Sequence, residues 1–117
     1  MPMMMILNQQ PYDGTDVTWN ALRLARQLHV DGHEVRIFLM NDSVDLARDG
    51  ILPPEGHEDM VEMLRNLIAQ GVAVKVCGTC QNRCGLRKGQ PYYDEGLKST
   101  MAECASWVAA SQKVMTF

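Results

Sequence analysis

The chain has 117 residues, of which 46% are hydrophobic and 21% are charged, and its net charge is −3. This length suits one domain with one core, and the apolar content excludes wholesale disorder. The acidic balance argues against a nucleic-acid binder. With no apolar run approaching the ~18 residues of a membrane span and no secretory leader, we expect a soluble, cytoplasmic protein with no membrane partner.

The first half of the chain alternates predicted strands with predicted helices. Met3–Leu7 is a short apolar run and predicts a buried strand. Apolar residues at helical spacing predict a helix over 16–31, which ends before a glycine. Glu34–Met40 predicts a second strand, and Ser43–Asp49 predicts a short helix.

The second half repeats this alternation after a proline-containing loop at 50–57, which we interpret as a flap. Glu58–Gln70 predicts a helix with a broad apolar face, and Val72–Val76 predicts a third strand. A capping-box pattern predicts a helix over 100–110. Lys113–Phe117 predicts the last strand.

This order of elements predicts a single α/β domain over residues 1–117. Its sheet is mainly parallel, with four or five strands and helices on both faces. Four strands are readable, and a fifth is expected near Pro91–Tyr93, where the pattern is weak.

In open α/β sheets, ligands bind beyond the carboxyl ends of the strands. The first three predicted strands lead to Asn8, Asn41 and Cys77. Of these residues only Cys77 carries a nucleophile, so the topology by itself selects Cys77 as a candidate functional residue.

Four cysteines lie in the second half of the chain: Cys77, Cys80, Cys84 and Cys104. A disulfide scaffold is typical of smaller secreted domains, so we expect free thiols. A helix N-terminus after Cys77 and the basic residues Arg83, Arg87 and Lys88 would favour a thiolate or a persulfide there. Arg83 is the candidate electrostatic helper. Cys104 shares an apolar helix face and is expected to pack in the core.

Two other hypotheses remain open for these cysteines. Cys77 can simply pack as a small apolar residue at a strand end. The thiols of Cys77, Cys80 and Cys84, with His57 or Cys104 as a fourth ligand, can also hold zinc, although the usual paired spacing is absent. No glycine-rich nucleotide motif is present, so no cofactor is expected.

Several segments together resemble the DsrE/DsrF-like family, and most closely its YchN-like branch. They are a glycine-containing loop after the first strand, a helix that includes Arg23-Leu24-Ala25, the stretch 32–44 from Gly32-His33-Glu34 onward, Val74 to Cys80, Gly85, and Lys113 to Phe117. The resemblance spans nearly the whole chain. It departs from the branch at Cys84, where another residue is expected.

The resemblance implies a flavodoxin-like or Rossmann-like domain that assembles into trimers or hexamers. It also implies a role in sulfur relay, because better-understood relatives accept a sulfane sulfur on one cysteine and pass it to a partner protein. That cysteine matches Cys77, and Cys80 is then a secondary, resolving thiol. Some subunits of this fold lack a working cysteine, so a non-catalytic assembly or binding protein is the alternative.

Overall fold

The computed structural model describes residues 1–83 and 97–117, without the side chains of Asn82 and Arg83. The predicted α/β fold is confirmed. In the described ranges five strands form one sheet, in the order β4-β3-β2-β1-β5, and every neighbouring pair is parallel. The strands are β1 (Met3–Leu7), β2 (Val35–Leu39), β3 (Ala73–Cys77), β4 (Lys98–Ser99) and β5 (Lys113–Thr116). None of the described helices is long and apolar enough to cross a membrane.

Within residues 1–83 and 97–117, four α-helices connect the strands: α1 (Val17–Val30), α2 (Met60–Ala69), α3 (Gly78–Arg83) and α4 (Met101–Ala110). The short helix predicted at Ser43–Asp49 is present as a 3₁₀ helix over Asn41–Ala47. The fifth strand is Lys98–Ser99, whereas its predicted place, Pro91–Tyr93, lies outside the described residues.

Side-chain hydrogen bonds and glycines set the helix ends. The Asp59 carboxylate accepts from the Glu62 amide at the start of α2, and the Thr100 hydroxyl accepts from the Glu103 amide at the start of α4. The second bond is one of the two bonds of the predicted capping box, and the Glu103 carboxylate pairs with Lys75. After α1 the chain turns at Gly32, whose φ of 91° lies in the left-handed region that glycine adopts without strain.

The core has two unequal parts, one on each face of the sheet. The larger part lies under α1 and α2, where alternate strand residues such as Met5, Ile37 and Val76 are fully buried. On the other face α4 covers a smaller cluster of four buried residues, which are Met4, Phe38, Cys77 and Cys104. We call this set the thiol cluster.

Candidate functional site

Polar contacts join three strand ends at one edge of the sheet, and two of them, those that lead to Asn8 and Asn41, are among the three predicted there. The Asn41 side-chain amide donates to Asn8 Oδ1 at 2.8 Å, and the Asn8 amide donates to the carbonyl of Phe117 at 3.0 Å. Asn41 has a φ of 51°, a left-handed conformation that asparagine tolerates better than most residues. The ends of β1, β2 and β5 are therefore joined by one chain of polar contacts.

Cys77 is the last residue of β3 and is followed at once by α3. The backbone N–H of Cys80 donates to Cys77 Sγ at 3.3 Å. This contact is the one expected from a helical turn that starts after the cysteine.

The burial of Cys77 differs from the expectation of a reachable thiol. Cys77 is only 5% exposed in this single chain. It packs in the thiol cluster against Phe38 and Met4, and Trp107 of α4 packs on the same cluster. Because α4 covers this end of β3, the sulfur lies beneath the surface. Cys80 is more exposed and contacts both parts of the core.

Cys104 is buried beside Cys77, as the sequence predicts. Burial raises the pKa of the Cys104 thiol, and the nearby Cys77 adds a smaller effect in the same direction. The thiolate form of Cys104 is thereby disfavoured. The structure gives Cys77, Cys80 and Cys104 as thiols.

The charged residues on this face were not predicted. Lys75 shares a sheet face with Cys77, two positions along β3, and its ammonium pairs with the Glu103 carboxylate of α4. Lys75 and Arg36 also lie over the Trp107 ring, 5.7 Å and 5.4 Å from its centroid. The period-two alternation of β3 could have placed Lys75 here, whereas its partners come from sequence-distant elements.

Several predicted site residues lie outside the described part of the chain. The side chain of Arg83 lies outside the described residues, as do Cys84, Arg87 and Lys88. Within the described part of the chain, no three histidine, cysteine or acidic side chains are placed to hold a metal ion. His57, one of the two suggested fourth ligands, packs edge-on against Tyr12 with ring centroids 6.4 Å apart.

A crevice lies between the loop after β1 and the predicted flap. Its volume is about 320 Å³, and Tyr12, Thr15, Pro54 and His57 line it. The Tyr12 hydroxyl donates to the carbonyl of Glu58 and accepts from the amide of Met60, both at 2.9 Å. Tyr12 thus fixes the start of α2 to the loop after β1.

Comparisons with known proteins agree with this architecture. The model of the DsrE/DsrF-like family matches residues 1–117. The chain is 37% identical to protein YchN of Escherichia coli over 114 residues, with 96% of this chain and 95% of YchN covered. It is 36% identical to an uncharacterized protein of Methanocaldococcus jannaschii over 118 residues, with both chains fully covered.

Solved structures show the same fold. The crystal structure of YchN from E. coli superposes with a TM-score of 0.84 at 34% identity, with both chains fully covered. A conserved protein of unknown function from Bacteroides thetaiotaomicron shares the fold alone, with a TM-score of 0.67 at 16% identity and coverage of 98% and 94%. Since the family model covers the whole chain and YchN matches in both sequence and structure, the chain belongs to the DsrE/DsrF-like family, in the branch of YchN.

Proposed function

We propose that this protein is a cytoplasmic sulfur-relay protein that carries a sulfane sulfur on Cys77. The observation that supports this most directly is the position of Cys77 at the carboxyl end of β3, with the Cys80 amide 3.3 Å from its sulfur. Sulfur relay is the general theme of the family to which the chain belongs. The family therefore supports the type of chemistry, and the position of Cys77 supports the choice of this residue.

In the proposed uptake step, the Cys77 thiolate attacks the outer sulfur of a donor persulfide. A sulfur–sulfur bond forms at Cys77, the donor's sulfur–sulfur bond breaks, and the donor leaves as a thiolate. Delivery is the same exchange in reverse, with an acceptor thiolate attacking the outer sulfur. Neither step changes the total number of sulfur–sulfur bonds, so no external oxidant or reductant is needed.

Cys80 provides a second outcome for the carried sulfur. Its thiolate attacks Cys77 Sγ, a Cys77–Cys80 disulfide forms, and hydrosulfide leaves. The two protein thiols are oxidised in this step and the carried sulfur is reduced to sulfide. Arg83, six residues after Cys77, is the proposed cationic helper that favours the persulfide anion.

The proposal is tested with inorganic polysulfide as the donor. We expect the intact mass of the protein to rise by one sulfur atom, and cyanide to recover that sulfur as thiocyanate. Cys77→Ser should abolish uptake, whereas Cys80→Ser should keep uptake and lose sulfide release. Cys104→Ala is the matched control, because it removes a thiol of the same cluster and should leave uptake intact. Uptake by Cys77→Ser would refute the assignment.

The burial of Cys77 favours one alternative, a non-catalytic assembly or binding protein of the same fold. In that case Cys77 packs as an apolar residue, and no variant changes the response to polysulfide. The metal hypothesis is tested separately by metal analysis of protein purified without chelator, in which a stoichiometric metal lost in Cys84→Ser would support it.

We also propose that the chain assembles into a homotrimer or homohexamer. In support, apolar side chains of α4 and β5 are exposed in the single chain, with Met101 62% exposed, Val108 41% and Val114 40%. Exposed apolar side chains grouped on one face are typical of subunit contacts. Native mass spectrometry should show three or six copies, and Val108→Glu should shift the protein toward monomer. A wild-type monomer would contradict the proposal.

A further inference from the structure

The strand next to Cys77 holds a buried hydroxyl with no partner. Ser99 is the second residue of β4, and it pairs directly with Cys77 across the parallel ladder. Paired residues on neighbouring strands point to the same face of a sheet, and the strands lie about 5 Å apart. The Ser99 side chain therefore stands beside Cys77 on the face that α4 covers.

Ser99 is 6% exposed, and its Oγ has no hydrogen-bond partner within the described part of the chain. Lys75 lowers the pKa of the Glu103 carboxyl most, and Ser99 lowers it further. The Ser99 hydroxyl is therefore close to Glu103, but it is not placed at the distance and angle of a hydrogen bond. Buried hydroxyl groups are almost always paired in native proteins, so this one needs an explanation.

The backbone around Ser99 is held in place from two sides. A Cβ on Gly78 would lie 3.0 Å from Lys98 Cε and 3.2 Å from the Ser99 carbonyl, so β4 packs closely on the start of α3. Thr100, the next residue after Ser99, caps α4. The hydroxyl is therefore fixed near Cys77 by the same two helices that surround the sulfur.

We infer that Ser99 donates a hydrogen bond to the outer sulfur carried on Cys77. This inference rests on the proposed function and names one further residue of the same site. A persulfide extends the Cys77 side chain by one sulfur–sulfur bond of about 2 Å, a substantial part of the strand spacing of about 5 Å that separates Cys77 from its paired residue Ser99. The outer sulfur of a persulfide anion accepts hydrogen bonds, and the Ser99 hydroxyl is a donor without a partner.

The test compares retention of sulfur on Cys77 after loading with inorganic polysulfide. Loaded protein is mixed with a fixed concentration of an added thiol, whose thiolate attacks the outer sulfur and releases the Cys77 thiolate. Because a hydrogen bond to a charged acceptor is among the stronger kinds, we expect Ser99→Ala to pass its sulfur to this thiol about tenfold faster than wild type at neutral pH. For the same reason, the pH dependence of sulfur retention in Ser99→Ala should be shifted toward higher pH by about one unit. Ser99→Thr, which keeps the hydroxyl, should restore both properties.

Stability measurements separate this role from a structural one. Ser99→Ala should unfold at the same temperature as wild type or higher, because it removes a hydroxyl that is buried without a partner. The control Thr18→Ala removes a buried hydroxyl that donates to the Gln9 carbonyl at 2.9 Å, and it should lower stability without changing sulfur retention. If Ser99→Ala does not fold, Ser99→Thr and Ser99→Val form a pair of equal size that differs in the hydroxyl.

The two proposals fail in different ways. If wild-type Cys77 takes up no sulfur, the proposed function is wrong and the role of Ser99 falls with it. If wild type takes up sulfur and the variants without the hydroxyl retain it as wild type does, the inference about Ser99 is wrong and the proposed function stands.

Discussion

Replacing Trp107 with alanine tests whether α4 covers Cys77 as the structure describes. The Trp107 ring packs edge-on against Phe38, with centroids 6.1 Å apart and an interplanar angle of 84°. It also lies beneath two cations, Arg36 and Lys75. Phe38 and Cys77 belong to the same thiol cluster, so the ring lies over the part of the sheet that buries the sulfur.

The cost of Trp107→Ala follows from these contacts. The aromatic pair contributes about 1 kcal/mol, and each partly exposed cation contact contributes about 0.5 kcal/mol. Lost apolar burial of a half-buried ring adds roughly 1 kcal/mol. We therefore expect a loss of about 3 kcal/mol, at the lower end of the range for truncating a large aromatic residue. For a domain of this size, such a loss lowers Tm by about 12 °C.

Two measurements check this prediction at one fixed protein concentration. Urea unfolding should give the loss in free energy, and alkylation of Cys77 by iodoacetamide should become faster as the cluster opens. The matched control is Trp19→Ala, because Trp19 is also half-buried but bonds to Glu58 beside the other core. That variant should not change the alkylation rate. Unfolding of Trp107→Ala within ~0.5 kcal/mol of wild type, the usual effect of a surface change, would refute the packing of α4 described here.

Three smaller perturbations test individual contacts. Tyr12→Phe leaves the Met60 amide without its acceptor, so urea unfolding should show a loss of about 1–2 kcal/mol; unchanged stability would mean that water replaces the hydroxyl. Burial raises the pKa of Cys104, so its contribution to stability is complete below the pKa of an unfolded thiol and is lost as pH rises above it. The unfolding temperature of Cys104→Ala should therefore fall less steeply with rising alkaline pH than that of wild type. Equal slopes would contradict this. Lys75 lowers the pKa of Glu103. The Lys75–Glu103 ion pair therefore contributes fully to folding stability above the pKa of an unfolded glutamate, and this contribution is lost as pH falls through the lowered pKa. Glu103→Gln should lose less stability than wild type as pH falls, measured by urea unfolding at acid pH. An equal loss in both proteins would mean that other carboxyl groups cause it.

Much of the fold could be predicted because local patterns determine it. The first strand has the bounds that were predicted for it. The helix predicted over 16–31 is observed at Val17–Val30, and the two predicted end residues, Asp16 and Asp31, are its caps. The period of apolar residues reports which face is buried, and that information is local. Lys98–Ser99 was missed because two residues carry no period and neither is apolar.

The candidate site was less predictable for a physical reason. That Cys77 ends a strand followed by a helix could be predicted, since adjacent elements set it. The burial of Cys77 is due to α4, and its neighbour Ser99 belongs to β4. Both elements lie far from Cys77 in the sequence and reach it only in the tertiary fold. Long-range pairing of this kind leaves no mark on the spacing of residues along the chain.

The pairing of β1 with β5 also affects how the protein folds during synthesis. Met3 lies beside Lys113 in this ladder, so one edge of β1 has no strand to pair with until the residues of β5, about 110 positions later, have left the ribosome. Contacts of such high sequence separation slow folding, and open strand edges can pair with other chains. We therefore expect newly made copies to need protection from aggregation for longer than a helical protein of equal length would.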